Sequence, residues 1–154
     1  MPKSRKAADA IALLKEDHAK VKKAFKEFEK MDKEDTESMK ELVTTVCEDL
    51  KAHTMIEEEL FYPAVRAEID DDDLMNEAQI EHQSAKDLIE QLEGMQPDDE
   101  LYVPMFTVLG EYVNHHIQEE EEEMFPEVKE LELDLEALGQ QMQERKDELV
   151  GEAA

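Results

Sequence analysis

Four successive stretches of this chain place apolar residues three and four positions apart, and each stripe is interrupted by one histidine. The first reads Ile11, Leu14, Val21, Phe25 and Phe28, with His18 in its gap. The second is Met39, Val43, Val46, Leu50, His53, Glu57 and Leu60; the third is Met75, Ala78, His82, Ala85, Ile89 and Leu92. The fourth is Phe106, Leu109, Val113, His116, Glu120 and Met124. This spacing gathers residues on one face of an α-helix and does not suit the two-residue period of a strand. Only four Gly and five Pro interrupt 154 residues, so local propensity agrees with the pattern.

The reading places helices over about residues 6–31, 35–61, 74–94, 100–123 and 134–150. Asp35 suits an N-cap, and the run Asp70-Asp71-Asp72-Asp73 puts negative charge at the third helix start. Gly94 suits a C-cap. Pro63 should bend or end the second helix, or allow one further turn through Val65; Pro104 sits in the first turns of the fourth. Short connections make sequential helices antiparallel neighbours. The expected architecture is all-α: one domain over 1–154, an up-down-up-down four-helix bundle (about 6–128) with an additional C-terminal helix (about 132–150). That last helix, with Leu135, Leu138, Met142 and Leu149 on one side, either covers the bundle or joins a second subunit.

Composition narrows the partners. The formal charge is −26, from 43 acidic residues against 17 Lys and Arg. Such a chain repels phosphate backbones and anionic lipid, so neither nucleic acid nor membrane is expected as a partner. Cys47 is the single cysteine, and no intramolecular disulfide can form. The basic N-terminus lacks the apolar segment of a secretory signal. No stretch reaches the ~20 apolar residues of a membrane span, and the expected location is the cytoplasm.

The chemistry lies in a repeated constellation. His53 is followed by Glu57 and then Phe61-Tyr62-Pro63; His116 is followed by Glu120 and then Phe125-Pro126. Residues i and i+4 share a helix face, so each segment can aim one imidazole and one carboxylate at a single point. A lone His in an apolar stripe is usually a hydrogen-bonded core residue. One per helix, with two Glu in core registers, is a different matter. A core carboxylate is destabilising unless paired or coordinated. Four imidazoles and two carboxylates without thiolates suit Fe, Mn or Zn. Two ions bridged by Glu57 and Glu120, each with two His, is the simplest use of six such groups. The Glu-x-x-His pattern of ferritin-like di-iron proteins is absent, since Lys15, Leu50, Gln79, Tyr112 and Val113 stand three residues before the five histidines.

On Asp17-His18, the two His-x-x-x-Glu-Glu segments with their trailing aromatic-Pro, and Glu81-His82, the chain resembles the hemerythrin-like HHE cation-binding family over roughly residues 9–128. The resemblance implies a four-helix bundle with a non-haem di-iron centre that reacts with dioxygen, peroxide or nitric oxide. It implies His18, His53, Glu57, His82, His116 and Glu120 as metal ligands, with the two Glu as bridges. An iron or zinc store or sensor without turnover is the other reading, and an enzymatic activity is left open.

The chain departs from the pattern at one place. Hemerythrins proper carry five His, two of them four residues apart on the third helix. Here Ala78 and Lys86 hold those positions around His82. One iron therefore has an open position or another ligand, with Glu58 and Glu81 as weak candidates, which favours peroxide chemistry or sensing over oxygen carriage. Glu58 and Glu121 are also candidates to accept imidazole N–H groups. Phe61, Tyr62 and Phe125 should close the bundle end above the metals. Tyr62, Tyr102 and Tyr112 are available hydroxyls that nothing in the sequence places. Met55 and Met124 should lie near the site, His115 at a boundary or in solvent, and Cys47 in the core.

Overall fold

Four of the five long helical rods begin at an aspartate whose side chain accepts a backbone N–H three residues on, which settles their start points. The computed structural model describes residues 9–153; the expected helix start near Lys6 lies outside them. Asp9 caps α1 (Ala10–Lys30), accepting from Ala12 N at 2.8 Å. Asp35 caps α2 (Thr36–Ile56), and Asp71 caps α4 (Asp72–Glu93), which ends at Gly94. The Asp134 carboxylate accepts from Ala137 N at 3.0 Å at the start of α7 (Leu135–Ala153). The fifth rod, α5 (Tyr102–Glu119), has Pro104 in its first turn, where the missing N–H loses nothing.

Neither of the rods bearing a His-Glu pair stops at its proline. Glu57–Phe61 and Glu120–Met124 each form one π-helical turn, and the helices then continue as α3 (Tyr62–Arg66) and α6 (Phe125–Lys129). The further turn through Val65 is therefore present and runs to Arg66, whereas the fourth helix continues past its expected end near 123 to Lys129. A proline clashes with the carbonyl four residues back. In the wider turn Tyr62 N bonds to Glu57 O, and Phe125 N to Glu120 O, which carries the chain past that clash.

The ion pairs Asp17–His53 and Lys20–Asp49 advance along α1 as they retreat along α2, so the two run antiparallel. Helix α4 packs against α5 and α2, and α1 against α5 as well, closing the four-helix bundle. Two apolar clusters fill it. One holds Val21, Phe25, Phe28, Met39, Phe106 and Leu109; the other holds Leu14, Ile56, Phe61, Met75, Met124 and Phe125. Cys47 is buried in the first, where burial pushes its thiol up to about 12. Helix α7 lies on α1 and α2, seating fully buried Met142 in the second cluster with Leu138 and Leu149 beside it. It covers the bundle.

One close approach needs a glycine. A Cβ on Gly110 of α5 would stand 2.9 Å from Phe25 Cδ1, so the ring lies directly on the α5 backbone. Among the described residues, no helix is long and apolar enough to cross a membrane.

Candidate metal centre

Between the two apolar clusters lies a buried polar layer, made by one imidazole from each bundle helix and the two carboxylates that open the π turns. His18, His53, Glu57, His82 and Glu120 are buried; His116 is nearly so. All six residues expected as ligands converge: donor atoms of His18, His53, Glu57 and Glu120 form one set, and those of Glu57, His82 and His116 a second, with Glu120 beside His116. In the first set, His18 Nε2 is 3.0 Å from Glu120 Oε1, and His53 Nε2 is 3.3 Å from Glu57 Oε2. In the second, His82 Nε2 is 2.8 Å from Glu57 Oε1, and His116 Nε2 is 3.3 Å from Glu120 Oε2. Each carboxylate therefore gives one oxygen to each set.

The first set has a property hydrogen bonding does not explain. His18 Nε2, His53 Nε2, Glu57 Oε2 and Glu120 Oε1 are all buried, and none has a hydrogen-bond partner despite these short separations. The four surround a common point, with one atom from each residue inside 4.8 Å of the rest. Buried polar atoms are rarely left so. A cation at the meeting point would satisfy all four.

The second set is not empty. Tyr62 Oη lies 3.2 Å from His82 Nε2, 3.3 Å from His116 Nε2, 3.3 Å from Glu57 Oε1 and 2.5 Å from Glu120 Oε2. The π turn is what brings it there, since the extra residue swings position i+5 back over position i. In the matching turn that position is Phe125, whose ring lies parallel to His18 with centroids 6.0 Å apart.

An outer carboxylate orients every imidazole. The Nδ1–H of His18 donates to Glu121 at 2.6 Å and that of His53 to Asp17 at 3.0 Å. His82 donates likewise to Glu58 at 2.9 Å, and His116 to Glu81 at 2.6 Å. An ionised carboxylate only accepts, so the pairing turns all four Nε2 atoms inward, as metal-ligating histidines require. Lys146 of α7 donates to Asp17 at 2.6 Å and Lys86 to Glu58 at 2.7 Å. Six carboxylates less two ammonium groups leave four negative charges with neutral imidazoles, which is the charge of two divalent cations.

Without cations the layer holds itself together with protons. Burial opposes the charge on His53, yet Glu57 and the bond to Asp17 push it up to about 10. Burial also opposes the charge on His116, and Glu120 carries it well above the usual imidazole value. Burial and Glu120 both work to raise Glu57, but His53 and His82 bring it below the usual carboxylate range. Burial is likewise overcome at Glu120, held well below that range first by His116. Burial, then the charges of Glu120 and Glu57, push the Tyr62 phenol well above its ordinary value.

A cavity of about 40 Å³ opens onto this layer, lined by His18, His53, His82, His116, Val21, Leu50 and neighbours. Water needs roughly 10–15 Å³ of such volume, so the space admits a molecule of a few atoms. Tyr62 and Phe125 are not among its lining residues and close the centre elsewhere.

The structure places the remaining residues and corrects the expectations for Glu58, Glu81 and Met55. Glu58 and Glu81 do not fill the place of a fifth His; each is occupied at an imidazole Nδ1. Met55 is 39% exposed, turned out by its helix, whereas Met124 is buried. Tyr112 is exposed at the cavity rim, and Tyr102 belongs to the cluster around Cys47. His115 faces solvent beside Glu119. Asp17 and Glu81 were read only as neighbours of His18 and His82. A carboxylate preceding each of those histidines was visible, but its contact with a different helix's imidazole was not.

The family model described as Hemerythrin HHE cation binding domain matches residues 9–128. A crystal structure of a hemerythrin HHE cation binding domain-containing protein from Mycobacterium kansasii superposes with a TM-score of 0.82 at 26% identity, covering 95% of this chain and 90% of the other. A DNA nickase from Nostoc sp. is 28% identical over 117 residues, which is 76% of this chain. The chain spans only 32% of the length of that curated relative.

Proposed function

From the chain's membership of the hemerythrin HHE cation-binding family, we propose that this cation-binding bundle is a non-haem di-iron protein whose ligand is dioxygen, peroxide or nitric oxide. His18 and His53 would hold one ion and His82 and His116 the other, with Glu57 and Glu120 shared between them. The observation carrying this reading is the group of four orphaned, convergent donor atoms on His18, His53, Glu57 and Glu120. Carboxylate oxygens with imidazoles and no thiolate suit iron. Iron at this place would supply one-electron chemistry and open positions for a small ligand.

The residues divide the remaining work. Asp17, Glu58, Glu81 and Glu121 fix the imidazoles in the tautomer with Nε2 inward. Val21, Leu50, Ala85, Val113 and Ile117 wall the cavity with apolar groups, which excludes bulk water and anything larger than a few atoms. The relative named as a DNA nickase shares one region with this chain. We assign that region the bundle's cation chemistry rather than contact with DNA, because a net charge of −26 repels the phosphate backbone.

The test is metal content of chain isolated without added metal, followed by anaerobic ferrous titration and absorption spectra before and after air, peroxide or nitric oxide. Two irons per chain and a spectrum that changes with one of these ligands are expected. Zinc alone, a single ion, or an inert spectrum would defeat the proposal; the last result would leave a metal store or sensor.

A further inference from the structure

We infer that Glu81, His115 and Glu119 form a third divalent-cation site, outside the buried layer and at the mouth of the cavity that leads to it. The site goes beyond the dinuclear reading, since none of its three side chains is among the six residues of that centre.

Helix α5 carries two His-x-x-x-Glu pairs in succession. His116 and Glu120 face the layer, and His115 and Glu119 repeat the spacing one residue earlier. One residue is about 100° around an α-helix, which turns the second pair toward solvent. The His115 side chain is 62% exposed and that of Glu119 27%, and His115 Nε2 stands 3.1 Å from Glu119 Oε2. The bundle's own repeat supplies the comparison. Ala52 and Ile56 hold the equivalent positions before His53 and Glu57, so α2 has no outer pair.

Glu81 of α4 completes the group. Its Oε1 accepts from His116 Nδ1 at 2.6 Å, while Oε2 faces outward, 3.7 Å from His115 Nε2. One donor atom from each of the three residues lies within 4.8 Å of the other two. Ligands about 2.1 Å from one ion stand about 3.0–3.4 Å apart at octahedral or tetrahedral angles. A cation therefore fits with small side-chain shifts. Two carboxylates and an imidazole without a thiolate suit divalent Fe, Mn or Zn. Water completes the coordination at so exposed a place, and the ion exchanges.

The local charge points the same way. Asp17 and Glu58, which orient other imidazoles, each take a lysine ammonium, at 2.6 and 2.7 Å. Among the described residues, the ion pairs of Glu81 and Glu119 are with histidines alone. One Nε2–H on His115 serves one of the two carboxylates facing it. A cation serves both, and the imidazole as well. Glu81 also lines the cavity beside His116, so an ion held here stands where cations drawn by a net charge of −26 reach the layer.

The test dialyses the full metal-free chain against rising zinc and counts bound ions. The double variant His115→Ala with Glu119→Gln should hold one zinc fewer than wild type at saturation. Glu90→Gln, which removes the same charge from an exposed position on α4, should match wild type. Circular dichroism checks that each variant is folded. In wild type labelled with nitrogen-15 in its histidines, the His115 ring resonances should shift as zinc approaches saturation. Equal zinc in wild type and the double variant, the same loss in Glu90→Gln, or an unmoved His115 ring would overturn the site. The zinc kept by the double variant reports separately on the dinuclear reading: two ions agree with it, and fewer defeat it without touching the outer site. The wild-type His115 ring decides the matter even if the double variant does not fold.

Discussion

Replacing Asp17 with Asn tests whether the outer carboxylates govern the centre. Asp17 Oδ2 accepts from His53 Nδ1 at 3.0 Å, and its other oxygen accepts from Lys146 at 2.6 Å. Asn keeps the shape and one acceptor but removes the charge that makes His53 a stronger donor. Losing such a partner typically weakens metal binding about 10–100-fold, which corresponds to about 1.4–2.8 kcal/mol. Protons modify the result. His53 is held up to about 10, partly by Asp17, so a metal entering at neutral pH must displace a proton. In Asp17→Asn that proton is bound less tightly, which offsets part of the loss. The deficit should therefore be smallest at low pH and widen as pH rises toward 10. Chelator competition for zinc, with wild type and variant compared across that range, measures it. Glu81→Gln serves as the matched change for the other ion, since Glu81 holds His116. Equal affinities at high pH, or a deficit that narrows with rising pH, would refute the reasoning.

Two further outcomes follow from the same geometry. In the metal-free protein, His53 and His116 are raised, so their contribution is full below the usual 6.5 and fades as pH rises through their raised values, about 10 for His53. Glu57 and Glu120 are lowered, so theirs is full above the usual 4.5 and fades in acid. Melting temperature without metal should peak between these values and decline on either side, whereas the increment from added metal should grow with pH. A metal-free melting temperature that climbs from pH 7 to 9 contradicts this. Gly110→Ala should destabilise by about 1–3 kcal/mol from overpacking against Phe25, less up to about 1 kcal/mol of helix propensity. An unchanged urea midpoint would mean that Phe25 moves aside freely.

Much of this molecule is written in local periodicity. Stripes stepping by three and four specify helices whatever their surroundings, and a His with a Glu four residues on share a face in any α-helix. That is why the rods, the bundle and the six convergent residues can be read from the chain. Contacts between rods have no such local signature. The pairing of His53 with Asp17 and of His116 with Glu81 depends on the rotation and register of neighbouring helices, set by how Phe25, Phe106 and their cluster interlock. The same holds for Lys146, which is 129 residues from the aspartate it holds. Tyr62 is the sharpest case. Ideal α-helical geometry turns position i+5 away from position i, so nothing in local periodicity seats its hydroxyl beside Glu57. Pro63 forces the wider turn, and packing of the continued helix decides that the turn is made rather than the rod ended.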